Sequence, residues 1–252
     1  MTKGWLSYVN LSDPYERKAR FLPAALSLLP LVPLSASMGA PFLDWMKILV
    51  GGVGLGAIVA VAISHGASAC GNRLQESLWP AWPHDSPTNL WLQPENRSVS
   101  SQQKTRWYQS IKDLVGLDIQ AAASSADPEE LKAVINDAIR ALRNRLWSAP
   151  EGERLRLHNI DYGFARNLAG LRPVWLLLAA GSLVGCWLGY ARLGRPLLWA
   201  VVSTVLAVGT FAFAWLLPSY VRKKAHYYAE SFFEGAVALT GKTQTSTPSK
   251  GE

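Results

Sequence analysis

The chain has 252 residues, a formal net charge of +7 and a hydrophobic fraction of 49%. Its apolar residues form blocks at both ends around a polar middle, and the basic surplus abuts those blocks at Arg17, Lys18, Arg20 and at Arg222, Lys223, Lys224, whereas residues 65–172 carry thirteen basic against twelve acidic side chains. A surplus placed beside apolar runs marks membrane topology, and without a basic stripe interleaved with aromatics it argues against nucleic acid as a partner.

Residues 1–20 are too polar for a secretory signal and read as a retained cytoplasmic segment. Residues 21–64 predict a first transmembrane hairpin. Its first span, Phe21 to about Met38, carries Pro23, Pro30 and Pro33 and is expected to be bent or broken. The second span, Ile48 to Ser64, places Gly52 and Gly56 four apart for close helix packing, after a turn with Trp45 as interfacial anchor.

Residues 65–173 predict a cytoplasmic helical domain. The stretch SLWPAWPHDSPTNLWLQP has too many prolines for a long helix, and Trp79, Trp82 and Trp91 are expected to fold it against the interface or the domain. Ser101 to Val115 predicts a helix with Trp107, Ile111 and Leu114 on its apolar face and Gly116 as its stop. The next helix opens on Asp127 as N-cap with Pro128 at its first position and Glu130 as capping-box partner, and runs to about Trp147.

From Leu155 onward Leu157, Ile160, Phe164, Leu168 and Leu171 recur at helical spacing, up to Pro173. Asn159, Tyr162, Gly163, Phe164, Arg166, Asn167 and Arg172 of this stretch form a candidate face for coupling the domain to the membrane or for meeting a partner. Residues 174–217 predict a second hairpin: Val174 to Leu188 with a Gly181, Gly185, Gly189 packing ridge, then Leu197 to Leu217 flanked by Trp199 and Trp215. Residues 218–239 predict an aromatic helix docked on the domain, and residues 240–252 a disordered tail.

No constellation specifies a reaction. Ala236 to Thr243 fits a relaxed phosphate-loop pattern but lacks the strand before and the helix after that would aim N–H groups at phosphates. His65, His84, His158 and His226 are scattered, so no metal set or cofactor is expected, and Cys70 with Cys186 suggests no disulfide framework.

The KTRWYQSIKDLVGLDI stretch at Lys104 to Ile119 and DYGFARNLAGLRP at Asp161 to Pro173 resemble an uncharacterised group of bacterial four-span inner-membrane proteins with a Tyr-Gly-Phe-x-Arg-Asn-Leu juxtamembrane motif. Tyr162, Gly163, Phe164, Arg166, Asn167 and Leu168 match, and Ala165 stands where the group often has a second arginine. The resemblance implies four spans and brings no activity.

The expectation is therefore an all-α integral membrane protein with two transmembrane hairpins, both termini and the helical domain cytoplasmic, in a bacterial inner membrane. It is expected to be non-enzymatic and to act with lipid, a protein partner or further copies of itself, as a membrane-perturbing effector in antiviral defence or stress. A scaffold that recruits a soluble enzyme and a lipid-acting enzyme are the alternatives.

Overall fold

The computed structural model describes residues 13–39, 55–124 and 127–245, and side chains of the helix that begins at Leu55 from residue 62. Every regular element among them is helical. The chain divides into two units, one from Met1–Gln75 and Ile160–Val221, the other from Glu76–Asn159 and Arg222–Glu252. Gly52, Gly56, Trp45 and the turn before the second expected span lie outside the residues whose side chains are described.

In the first unit, a π-wound stretch Glu16–Phe21 leads into α1, Leu22–Ser27, and a turn separates it from α2, Leu31–Met38. The two arms meet at 51°. Pro30 and Pro33 have no N–H to give, so the ladder is interrupted and the turn closes through i→i−3 bonds, Leu28 N to Ala25 O at 3.1 Å and Leu31 N to Leu28 O at 2.9 Å. The bend follows from the proline spacing, as expected. It also means that this span exists only if both arms are taken together.

Helix α3, Leu55–Leu78, runs well past Ser64, where the second expected span ends. No proline interrupts it before Pro80, and the polar residues from His65 onward do not stop it. Among the described residues the later apolar runs form two helices that are long and apolar enough to cross a membrane; before them in the chain come α4, Pro87–Leu92, α5, Ser101–Val115, α6, Ile119–Ala123, and α7, Pro128–Ser148, all in the second unit, and then α8, Glu153–Gly170. Helix α9, Arg172–Leu193, spans about 33 Å at 1.5 Å per residue, close to a bilayer's hydrocarbon thickness. Pro173 sits in its first turn, where a missing N–H is tolerated, and the ladder passes the junction through Trp175 N to Leu171 O at 2.9 Å. Gly194, with φ 63°, ends it in a left-handed turn that a side chain would strain.

Helix α10 is a single element, Leu197–Thr245. The sequence reading separates a span ending at Leu217 from a docked helix beginning at 218, and starts an irregular tail at Thr240. In the structure Pro218 is inside the helix and residues 240–245 are helical. One proline removes one N–H from the ladder, and two long flanking segments with regular bonding outweigh that loss.

The glycine ridge is engaged at one position. A side chain at Gly185 would meet Leu34 Cδ1 of α2 at 2.7 Å, so α2 packs there, whereas among the described residues nothing comes within 4 Å of the Gly181 position and Gly189 neighbours the Arg195 side chain. Helices α9 and α10 are joined by Trp187 Nε1 donating to Thr204 Oγ1 at 3.0 Å.

The second unit contains α4, Pro87–Leu92; α5, Ser101–Val115; α6, Ile119–Ala123; α7, Pro128–Ser148; and the terminal parts of α8 and α10. Its core joins Trp107, Ile111 and Leu114 of α5 to Leu131, Ile135, Leu142 and Leu146 of α7 and to Phe232 and Phe233 of α10. The Trp107 and Phe233 rings stack at 4.0 Å between centroids, with Trp91 beside both. The aromatic part of α10 thus packs on the domain, and Trp91 belongs to the domain's core.

Helix ends in this unit are closed by local chemistry. Ser86, Ser100 and Asp127 accept N–H groups of the first turns, and Gly116, at φ 76°, ends α5. Asp127 takes the N–H of Glu129, while Glu130 makes no return bond among the described residues, so the expected capping box is half formed. Cations close several C-terminal ends: Arg145 Nη1 donates to Leu114 O at 2.6 Å, and Arg156 Nη1 to Trp147 O and Ala149 O. Buried Lys104 donates to the carbonyls of Gln93, Pro94 and Asn96 just beyond α4. Burial pushes its pKa down, against the opposing charge of Glu95.

Candidate coupling site

The motif on α8 is turned inward at its second half. Tyr162 Oη donates to Gln75 Oε1 of α3 at 2.9 Å, and Arg166 Nη1 donates to the same oxygen at 3.0 Å. Arg166 Nε donates to Asn167 Oδ1 at 3.2 Å, and its guanidinium lies 5.9 Å from the centre of the Tyr162 ring. Asn167 is fully buried and its Nδ2 donates to Ala19 O at 2.7 Å. Two residues of one turn therefore tie α8 both to α3 and to the N-terminal helical arm.

Small residues allow this closeness. A Cβ on Gly170 would lie 2.5 Å from the Cys70 carbonyl carbon and the Gly71 nitrogen, so α3 and α8 touch backbone to backbone. A Cβ on Gly71 would overlap the Asn167 side chain, and one on Gly163 would meet Ala19 Cβ and the Tyr15 hydroxyl at 3.0 Å. Ala165, the departure from the resembling motif, is fully buried, in a place where an arginine would have to be desolvated.

The expected face is thereby divided. Tyr162, Gly163, Arg166 and Asn167 come together, and Phe164 borders an apolar groove of about 840 Å³ with Leu26, Leu168, Trp175, Leu206 and Phe213. Asn159 belongs to the other unit and does not join the network. Arg172 donates from Nε to Ala169 O at 3.0 Å, in the turn before α9. The apolar stripe is corrected at its start: Leu157 is 57% exposed, and the buried face from Gly163 onward is built of glycine, alanine and asparagine as much as of leucine.

Arg166 has no carboxylate within ion-pair distance among the described residues. Its half-buried charge is met by two neutral oxygens and an aromatic face. Arg20, on the N-terminal arm, pairs with Glu16 at 2.5 Å and lies over Tyr15.

Gln75, Gly71, Gly170 and Ala19 escaped the sequence reading. The signal for the first two was their i, i+4 spacing on an uninterrupted helical stretch, which ending the helix at Ser64 concealed. Ala236 to Thr243 is helical, so no loop forms there. His158 Nδ1 meets Tyr227 O at 2.8 Å and His226 lies against Trp91. Among the described residues no group of three His, Cys, Asp or Glu is placed to hold a metal ion.

The described fold is all-helical, with two helices of membrane-crossing length and apolarity and a buried polar fastening beside them. No protein-family model, curated protein or solved structure matches the chain.

Proposed function

We propose that this chain is a non-enzymatic, four-span protein of a bacterial inner membrane, with both termini cytoplasmic, which relays an event on its helical domain to its membrane helices and acts with a protein partner. The observation that carries the reading is the fastening of α8 by Asn167 and Arg166 to Ala19 and Gln75. Helix α8 contributes residues to both units, and a helix bonded at one end to two other segments moves them when it moves. Tyr162, Arg166 and Asn167 bond to internal groups and do not surround an open cleft, which favours a mechanical role over lipid chemistry. The output fitting compact spans with only short turns on the side opposite the helical domain is a change in membrane permeability during defence or stress.

The test is overproduction of the chain, alone and with the products of neighbouring genes, with membrane potential followed by a voltage-sensitive dye. Wild type is expected to depolarise the membrane in at least one setting, and Gly163→Val, which drives a side chain into Ala19 and Tyr15, is expected not to. An undisturbed potential in every setting sinks the effector reading.

A scaffold role is favoured by a groove of about 780 Å³ in the helical domain, lined by Trp91, Val99, Arg106, Glu230 and Val237 among others. It offers an apolar floor with one basic side chain, Arg106, and two acidic ones, Glu230 and Glu234, as suits the polar rim of a helix-binding groove. A stoichiometric crosslinked partner lost on Val237→Arg supports it; recovery of the same partner from that variant counts against it.

A further inference from the structure

Along the first turns of α9, beside the Phe211 to Pro218 stretch of α10, lies a cleft of about 580 Å³ bordered by Arg172, Pro173, Leu176, Phe211, Trp215 and Pro218. We propose that it docks one anionic phospholipid, with the phosphate on Arg172 and an acyl chain over Leu176, Phe211 and Trp215. This rests on the reading of α9 and α10 as membrane-crossing helices.

Its level along the helices is the first argument. Arg172 stands as far from Leu193, the end of α9, as Pro218 does from Leu197, the start of α10, about 32 Å along either helix, so the cleft falls where a hydrocarbon core of about 30 Å ends. Trp215, at that level, is 86% exposed, as suits an indole in the headgroup region.

Charge is the second. Arg172 is anchored through Nε to the Ala169 carbonyl at 3.0 Å, which leaves its Nη groups to donate elsewhere. Among the described residues no carboxylate pairs with it and no acidic side chain borders the cleft. A guanidinium fork suits a phosphate, and a headgroup bearing an ammonium would find no counter-charge there. Apart from Arg172 the walls are mainly hydrocarbon, so a free phosphate ion would leave them bare while a phospholipid covers both parts.

The experiment is native mass spectrometry of the full chain released from nanodiscs of equal dioleoyl phosphatidylglycerol and dioleoyl phosphatidylcholine. Wild type is expected to retain one phosphatidylglycerol over phosphatidylcholine by about fivefold, the worth of one basic residue at a membrane surface. Arg172→Gln should bring that ratio near one, Arg172→Lys should keep part of it, and Arg192→Gln, in the last turn of α9, should leave it unchanged. Trp215→Ala, at an exposed site that folding does not need, should lower retention of both lipids. Equal retention by wild type, a preference surviving Arg172→Gln, unchanged retention in Trp215→Ala, or a lipid-free dimer overturns the site. Alkaline carbonate extraction separates the two readings: release of the chain from membranes refutes the spans themselves, whereas an embedded chain with no lipid preference refutes only this site.

Discussion

The contact between Gly71 and Asn167 allows a quantitative test of the α3–α8 fastening. Asn167→Ala removes the bond to Ala19 O at 2.7 Å and the acceptor for Arg166 Nε at 3.2 Å. One is a neutral buried bond and the other is charge-assisted but half-buried, so together they are worth about 3 kcal/mol. Gly71→Ala places a methyl where the Asn167 side chain now sits and 3.1 Å from its Cα. Overpacking of that kind costs about 2 to 3 kcal/mol, against roughly 1 kcal/mol of helix propensity gained by replacing glycine. If the effects were independent, the double variant would lose about 4 to 5 kcal/mol. In the double variant the methyl enters space that the asparagine has vacated and the helix gain remains, so the expected loss is about 2 kcal/mol. Gly71→Ala should therefore stabilise the Asn167→Ala background while destabilising wild type. The assay is SDS titration in mixed micelles followed by circular dichroism. Additive losses, or a Gly71→Ala variant as stable as wild type, would refute the packing argument.

Two further outcomes are expected in the helical domain. Lys104→Met keeps the apolar stem but leaves the carbonyls of Gln93, Pro94 and Asn96 without their shared donor, and is expected to lower stability by about 2 to 3 kcal/mol in denaturant titration; an unchanged midpoint would contradict the capping role. Asp118 is held below the usual carboxylate range by its bond to Lys112, at 2.7 Å, and by the Ala121 N–H. A depressed folded pKa contributes stability above the unfolded value, near pH 4, which is lost as pH falls through the folded one. The stability difference between wild type and Asp118→Asn should accordingly close at low pH, and a difference that stays constant down to pH 2, on the order of two units below the unfolded value, would count against the assignment.

Legibility in the sequence followed the range of the interaction concerned. The proline bend between α1 and α2, the Ser100 and Asp127 caps, the Gly116 stop and the apolar faces of α5 and α7 depend on residues within a turn or two of each other, and their spacing revealed them. Pro218 misled because a local penalty was weighed without the helix on both sides of it. The Gly181, Gly185, Gly189 ridge showed that close packing was permitted but not where, since only the path of α2 decides that Leu34 meets Gly185 and that no other described residue meets Gly181.

The motif on α8 divides along the same line. That it is a helix, that Pro173 falls at its junction with an apolar helix of membrane-crossing length, and that it concentrates polar side chains beside apolar ones are properties of the sequence itself, because helical period and proline geometry need no partner. Which of those side chains are spent inside was decided by tertiary structure alone. Asn167 is as polar as Asn159, yet one is buried against Ala19 and the other stands outside the network, because Gly71, Gly163 and Gly170 let two other segments approach α8 closely on the Asn167 side. A buried amide is tolerated only where both its donor and its acceptor are met, and the groups that meet them come from residues far away in the sequence.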